Sequence, residues 1–253
     1  MNSKYYYEDF TYRNYERLFG EASKEYSFIG FDEKREEDKQ ILLRHDVDFS
    51  VGGGEALAII ENRLGIKATY FIYPHSEGYN LYEHGLVETI KHIIALGHDI
   101  GLHVDMKFYK EVLNEYEYEK IAKREIADLE KLFHCKVKAV SFHNPEAAFG
   151  RKEYNFHSFA GCINAYAKEI FDEYKYISDS NGYWRFERLE DVLLSGNYKK
   201  LQLLLHPVWW CEQAKSPAKR IYDYFSNDAE RRYKLYCNNI TACDRANVGE
   251  EEV

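Results

Sequence analysis

The sequence has few of the features that mark domain seams, disulfide frameworks or membrane spans. Its 253 residues include only four prolines, and no repeat or low-complexity linker interrupts them. No run approaches the about 18 apolar residues that a membrane-spanning helix needs, so we expect no membrane span. The five cysteines are odd in number and scattered, which favours reduced thiols over a disulfide framework.

Positive charge is also scarce. The chain has 34 Lys and Arg against 43 Asp and Glu, which gives a formal net charge of −9. Nucleic-acid binding depends on clustered basic side chains that contact phosphates, so we expect no nucleic-acid partner. The first ten residues, MNSKYYYEDF, lack the apolar core and cleavage site of a secretory signal, and we therefore expect a cytoplasmic location.

Tyrosine and histidine, by contrast, are frequent, with 23 and 10 residues. Tyrosine rings can stack on sugars or pack in a core, and the packing interpretation is favoured. It is favoured most for the five tyrosines of a predicted N-terminal helical segment, which are Tyr5, Tyr6, Tyr7, Tyr12 and Tyr15.

Short apolar runs alternate with amphipathic helical patterns along the chain. The patterns predict strands at 41–47, 68–73, 99–103, 137–143, 176–178 and 201–206, and helices at 55–64, 86–96, 118–133, 186–194 and 216–238. Strands separated by helices indicate an α/β fold with a parallel sheet, either a barrel or a doubly wound sheet. No Gly-x-Gly-x-x-Gly follows the first strand, which argues against a dinucleotide-binding fold.

Acidic and imidazole side chains stand at the carboxyl ends of four predicted strands. They are Asp46, Asp48, His103, His143 and His206. In a parallel barrel these strand ends share one rim, where active sites are assembled. We therefore expect these side chains to converge at one mouth although they are far apart in sequence.

The two carboxylates of the first strand lie two residues apart. In an extended strand, Asp46 and Asp48 point to one side, and His45 and Val47 point to the other. A buried carboxylate pair needs a cation or a shared proton to neutralise it. The alternative is that Arg44 or another base pairs with one carboxylate while the other carboxylate caps the next helix.

Five short motifs occur in order at these strands. They read RHDVD at 44–48, ATYF at 68–71, GHDIGLH at 97–103, SFHNP at 141–145 and LLHP at 204–207. Their content and order resemble the polysaccharide deacetylase superfamily, the NodB-homology or carbohydrate esterase proteins. The first motif is similar to that of a variant group with Arg-His-Asp-Val-Asp.

This resemblance implies a distorted (β/α) barrel of fewer than eight strands. Because no domain seam is visible, we expect a single domain over 1–253, with a barrel core at about 41–210, an N-terminal helical segment at 1–30 and a C-terminal helical tail at 211–245. The resemblance also implies one divalent metal ion, zinc in the first place, with iron, cobalt and nickel also compatible. By position, Asp46 resembles the general base, Asp48 a metal ligand, His103 the first ligand histidine and His206 the general acid.

Two positions depart from the family pattern. Lys107 stands four residues after His103, where the family has its second ligand histidine. His143 stands where the family usually has an arginine that braces the catalytic aspartate. Catalytic zinc keeps three protein ligands, so a third ligand is needed. We expect His143 to supply it, with Asp105 as the alternative, unless the metal site is degenerate.

The implied reaction removes an N-acetyl group from an amino sugar or a sugar-containing precursor. The predicted substrate-binding residues are Asn144, Trp209 and Trp210, although closure of the barrel is an equally good role for the two tryptophans. Because of Lys107, a metal-free barrel that binds carbohydrate or acts as a scaffold is the alternative function. A hydrolase of the same fold acting on a non-sugar amide or a glycosidic bond is a third possibility.

Overall fold

The computed structural model describes residues 5–33, 39–105, 107–108, 115–145 and 155–241. The chain divides into two compact units, Met1–Ala214 and Lys215–Val253. The prediction of one domain with a barrel core at 41–210 stays a prediction, and the predicted tail at 211–245 extends beyond the described residues. Within the described part of the chain, no helix is long and apolar enough to cross a membrane.

The described strands all belong to the first unit. Each of the six predicted strands is present within one residue of its predicted bounds. Three further strands have only two or three residues, too few to show an alternating pattern in the sequence. The strands are β1 (Ser27–Phe28), β2 (Gln40–Val47), β3 (Thr69–Ile72), β4 (Asp99–Val104), β5 (Val137–Phe142), β6 (Ser158–Phe159), β7 (Cys162–Asn164), β8 (Lys175–Ser178) and β9 (Lys200–Leu205).

The predicted helices are also present, with larger differences at their ends. The helix predicted at 55–64 begins four residues earlier, because three glycines lie inside its first turn instead of before it. One short helix after β7 was not predicted. The helices are α1 (Tyr12–Ala22), α2 (Val51–Arg63), α3 (His84–Ala95), α4 (Glu115–Phe133), α5 (Lys168–Glu173), α6 (Leu189–Ser195) and α7 (Pro217–Thr241).

One continuous sheet carries the fold of the first unit. Its order is β6-β7-β5-β4-β3-β2-β9-β8, and β1 pairs with the beginning of β2. Seven strands form the row from β7 through β2 to β8 and are parallel neighbours, β1 is also parallel to β2, and β6 runs antiparallel to β7. The seven strands of this row are consistent with the predicted barrel of fewer than eight strands.

Contacts across the interior show that this sheet curls into a barrel. Strands β2 and β5 are three positions apart, about 14 Å in a flat sheet. The hydroxyl of Ser141 on β5 nevertheless lies 3.5 Å from Asp46 Oδ1 on β2. The amide of Gln202 on β9 donates a hydrogen bond of 2.7 Å to the carbonyl of Ala165, just after β7. The distorted barrel predicted from the sequence is therefore the observed fold.

Close packing inside the barrel requires a glycine on β4. A Cβ at Gly101 would lie 2.5 Å from the ring of Phe71 on β3 and 3.0 Å from the carbonyl oxygen of Ala139 on β5. Phe71 and Ala139 are both fully buried. Gly101 therefore allows the large ring of β3 to lie against β4.

A polar cluster centred on Glu61 of α2 lies on the side of β2 that faces away from the barrel interior. Its carboxylate accepts hydrogen bonds from His45 Nε2 at 2.6 Å, from the Tyr70 hydroxyl at 2.7 Å and from the Tyr15 hydroxyl. All four side chains are fully buried. Burial raises the pKa of Glu61, but His45, His98 and the Tyr15 hydroxyl outweigh burial and lower that pKa to about 2. The ionised carboxylate therefore links α1, α2, β2 and β3.

Candidate active site

Five polar side chains converge at one end of the barrel. Asp46 is on β2 and Asp48 directly follows it, His103 is on β4, His143 follows β5 and His206 follows β9. All five line one pocket with a volume of about 490 Å³. They meet because the carboxyl ends of parallel strands face the same way.

Asp46 is held by an arginine of its own strand. Arg44 donates from Nε to Oδ1 at 3.1 Å and from Nη2 to Oδ2 at 2.6 Å. Both side chains are buried, and the guanidinium lies 4.6 Å from the centre of the Tyr166 ring. Burial raises the pKa of Asp46, but Arg44, His103 and His206 together outweigh burial, so that this pKa lies below its ordinary value.

Asp48 faces the imidazole of His103. Its Oδ1 lies 3.2 Å from His103 Nε2, yet this buried oxygen has no aligned hydrogen-bond donor among the described residues. Burial raises the pKa of Asp48, but the imidazoles of His103 and His206 outweigh burial and lower it to about 2. The other ring nitrogen of His103 lies 2.6 Å from the Ser141 hydroxyl, which fixes the ring. Asp48 does not cap α2, since that helix begins without a side-chain cap.

His143 packs beside His103, with ring centres 5.4 Å apart. Its Nδ1 is buried and has no hydrogen-bond partner in the described part of the chain, whereas Nε2 lies 3.2 Å from the Asn144 amide nitrogen. Burial and the neighbouring His103 lower the pKa of His143. His143 is therefore neutral at pH 7, which is the protonation state in which histidine ligates a metal.

His206 is fixed by a buried carboxylate that the sequence did not reveal. Asp179, directly after β8, lies 2.7 Å from His206 Nδ1 and accepts the backbone N–H of the same residue at 3.0 Å. Burial lowers the pKa of His206, but Asp179 and the site carboxylate Asp48 outweigh burial and raise it to about 9. The imidazole is therefore protonated at neutral pH, and its Nε2 lies 4.0 Å from Asp48 Oδ2.

The donor types at this site fit a divalent cation. Asp48 Oδ1 and His143 Nδ1 are buried atoms without a hydrogen-bond partner among the described residues, and carboxylate and imidazole are common zinc ligands. His143 Nδ1 can ligate a cation in the tautomer that carries the proton on Nε2. Asp105 is a poorer third donor, because its oxygens already accept the Tyr73 hydroxyl and the Lys107 backbone N–H. As the side chains stand, the described residues contain no group of three or more His, Cys, Asp or Glu that could hold a metal ion.

The predicted substrate-binding residues divide between pocket and core. Asn144 and Trp209 line the pocket, and the indole N–H of Trp209 is buried without an acceptor among the described residues. Trp210 is in the core, where it contacts the ring of Tyr15 at 4.8 Å and donates to Asp179 Oδ2 at 2.9 Å. Its position agrees with the packing alternative and leaves no ring face for a sugar.

Sequence reasoning missed two residues that position the site, Ser141 and Asp179, and it gave the pairing of Arg44 with one carboxylate only as an alternative. Each had a signal in the sequence. Arg44 and Ser141 lie two residues before Asp46 and His143, on the same side of their strands. Asp179 directly follows the predicted strand 176–178, where the rule for strand ends would have placed a functional side chain.

No protein-family model and no curated protein matches the chain. The following three are among the solved structures that match the chain. Peptidoglycan deacetylase PdaC from Bacillus subtilis is 13% identical with a TM-score of 0.45, over 81% of this chain and 96% of that one. The deacetylase PplD from Streptococcus pyogenes, solved with acetate, is 15% identical with a TM-score of 0.38, over 50% of this chain and 59% of that one.

The third structure is BA3943 from Bacillus anthracis, described as a CE4 family pseudoenzyme. It is 13% identical with a TM-score of 0.43, over 77% of this chain and 63% of that one. This chain therefore spans about six tenths of the length of PplD and of BA3943. All three are at most 15% identical to this chain, with TM-scores below 0.5.

Proposed function

We propose that the chain is a metal-dependent hydrolase that removes an N-acyl group, acetyl in the first place, from an amino sugar or a sugar-containing precursor. The observation that carries this proposal is the meeting, in one pocket, of the Asp46 and Asp48 carboxylates with the His206 imidazole, which Asp179 holds at 2.7 Å. A carboxylate that accepts a proton and an acid that donates one are what amide hydrolysis requires.

The chain's own residues would divide the proton transfers between them. Asp46, which Arg44 keeps ionised and oriented, accepts a proton from the water that attacks the amide carbonyl. His206, held by Asp179, donates a proton to the leaving amine, and the products are acetate and a free amino sugar. The chemistry that a divalent ion supplies at such a site is Lewis acidity, which polarises a carbonyl and lowers the pKa of a water.

Asp48, His103 and His143 are the proposed ligands of that ion. Asp48 Oδ1 and His143 Nδ1 support the choice, because neither has a hydrogen-bond partner in the described part of the chain, whereas both oxygens of Asp105 already accept hydrogen bonds. Metal content of the purified full chain, before and after titration with zinc, tests it. We expect Asp48→Asn and His143→Ala to lose the ion and Asp105→Asn to retain it. Unchanged stoichiometry in His143→Ala would remove that residue from the ligand set.

Acetate release from N-acetylated amino sugars tests the reaction. We expect Asp46→Asn and His206→Gln to lower the rate by roughly 100-fold or more, since each removes a proton-transfer group. His92→Gln is the matched control, because His92 lies on the surface of α3 and pairs with Glu55. Acetate release that is the same in wild type, Asp46→Asn and His206→Gln would refute the proposal.

A metal-free carbohydrate-binding barrel is the second candidate, and Lys107 favours it. Lys107 is exposed and occupies the position of the second family ligand, where an ammonium group cannot ligate a cation. The same titration separates the two candidates. Binding of an N-acetylated sugar without any bound metal and without acetate release would favour the second.

A further inference from the structure

One wall of the pocket is a run of aromatic rings in mutual contact. Tyr166 and Phe171 have ring centres 5.9 Å apart, Phe171 and Tyr176 are 5.2 Å apart, and Tyr176 and Phe186 are 5.8 Å apart. All four rings line the pocket. Pockets for small ligands combine such apolar walls with a few polar groups that orient the ligand.

Arg185 stands at the end of this aromatic wall. It is the only Lys or Arg among the described residues that line the pocket. Its backbone N–H donates to the carbonyl of Ser178 at 2.9 Å, which ties it to the end of β8. Its guanidinium lies 5.4 Å from the ring centre of Phe186. A guanidinium that packs on a ring keeps its in-plane N–H groups free for a ligand.

The charge of Arg185 has no carboxylate within 4.0 Å among the described residues, whereas the charges around it are paired. Arg188 binds Asp9 at 2.6 Å, and Glu187 binds Lys175. Within the pocket, Asp46 is paired with Arg44 and Asp48 lies beside His103. Because the acids near Arg185 are already compensated, its positive charge is available to a molecule in the pocket.

We propose that Arg185 binds an anionic oxygen group, a carboxylate or a phosphate, of the molecule that occupies this pocket. The substrate class is then an acidic N-acyl amino sugar or an N-acyl amino sugar phosphate. The assignment of an N-acyl group to the substrate rests on the proposed function. The assignment of an anionic group rests only on the contacts of Arg185. The net charge of −9 gives the chain no general attraction for anions, so anion binding here depends on this local contact.

Calorimetric binding to the full chain tests the proposal with three probes. They are neutral N-acetylglucosamine, N-acetylglucosamine 1-phosphate and N-acetylmuramic acid, which carries a carboxylate. We expect at least one anionic probe to bind about tenfold more tightly than the neutral sugar, as one charge-assisted contact provides. Arg185→Gln should abolish that preference and leave the Kd of the neutral sugar within about twofold.

Two further variants define the contact. Arg185→Lys keeps the charge and should retain part of the preference. Arg13→Gln is the matched control, because Arg13 is exposed on α1, has no ion pair among the described residues and lies outside this pocket. A preference for the phosphate probe assigns a sugar phosphate, and a preference for the carboxylate probe assigns an acidic sugar.

The proposal is overturned if neither anionic probe binds more tightly than the neutral sugar, or if neither binds measurably. Equal weakening of all three probes by Arg185→Gln would also overturn it. Failure of the proposed function looks different: the charge preference would persist, and no acetate would be released. Acetate release without any charge preference would retain the proposed function and reject the role of Arg185.

Discussion

Replacement of Glu61 by glutamine should destabilise the barrel and change its response to acid. The carboxylate is fully buried and accepts hydrogen bonds from His45, Tyr70 and Tyr15. Glutamine keeps the shape but replaces one acceptor oxygen with a donor, so at least one of these buried donors loses its acceptor. Such a loss costs about 1–3 kcal/mol, and more where the acceptor was charged.

The pKa of Glu61 gives an independent magnitude. A fall from the ordinary 4.5 to about 2 corresponds to about 3 kcal/mol, at roughly 1.4 kcal/mol for each pH unit. Because the folded-state pKa is lower than the unfolded one, this stabilisation is fully present above about pH 4.5. It is lost progressively as the pH falls toward 2.

Urea unfolding followed by tryptophan fluorescence measures both effects. At pH 7 we expect Glu61→Gln to lower the free energy of unfolding by about 2–4 kcal/mol. Between pH 4.5 and 2 the variant should lose less stability than the wild type, because the titrating group is gone. Glu55→Gln is the control: on the same helix, Glu55 pairs with a surface histidine, and we expect less than about 0.5 kcal/mol.

Two results would refute this reasoning. The first is a Glu61→Gln variant whose unfolding free energy at pH 7 equals that of Glu55→Gln. The second is a free energy of unfolding that falls equally steeply between pH 4.5 and 2 in Glu61→Gln and in the wild type. Either result would mean that the buried carboxylate does not stabilise the link between α1, α2 and the sheet.

Two further predictions concern packing and the support of the site. Gly101→Ala should lower the free energy of unfolding by about 1–3 kcal/mol, because the added Cβ would collide with the Phe71 ring. Gly52→Ala is the control in the same urea experiment, because a Cβ at residue 52 has no neighbouring atom within 4 Å. Asp179→Asn should lower the free energy of unfolding by about 2–4 kcal/mol, because the Asp179 carboxylate accepts hydrogen bonds from the backbone N–H and from the ring Nδ1–H of His206. An unchanged urea midpoint would show that this buried carboxylate does not stabilise the fold.

The regular elements followed from periodicity, since six strands appear within one residue of their predicted bounds. The buried parallel strands give short apolar runs, and the helices between them give amphipathic patterns. Strands β1, β6 and β7 and helix α5 were not predicted, because they are too short to show a period.

The candidate site was predictable in part, because strand ends in a parallel barrel share a rim. The convergence of Asp46, Asp48, His103, His143 and His206 follows from that rule. The core position of Trp210 did not follow, because its neighbours come from the N-terminal segment and from Asp179, which are distant in sequence. Only the tertiary fold decides between a stacking and a packing tryptophan.

The alternation of side chains along β2 limits how this strand can change. Arg44 and Asp46 point into the barrel, while His45 between them binds Glu61 outside it. Insertion or deletion of one residue would exchange the two sets, placing an imidazole in the pocket and a carboxylate against Glu61. The Arg44–Asp46 pair inside the barrel and the His45–Glu61 pair outside it would both be lost. We therefore expect length variation among natural relatives of this chain to avoid residues 44–48, even where single substitutions there are accepted.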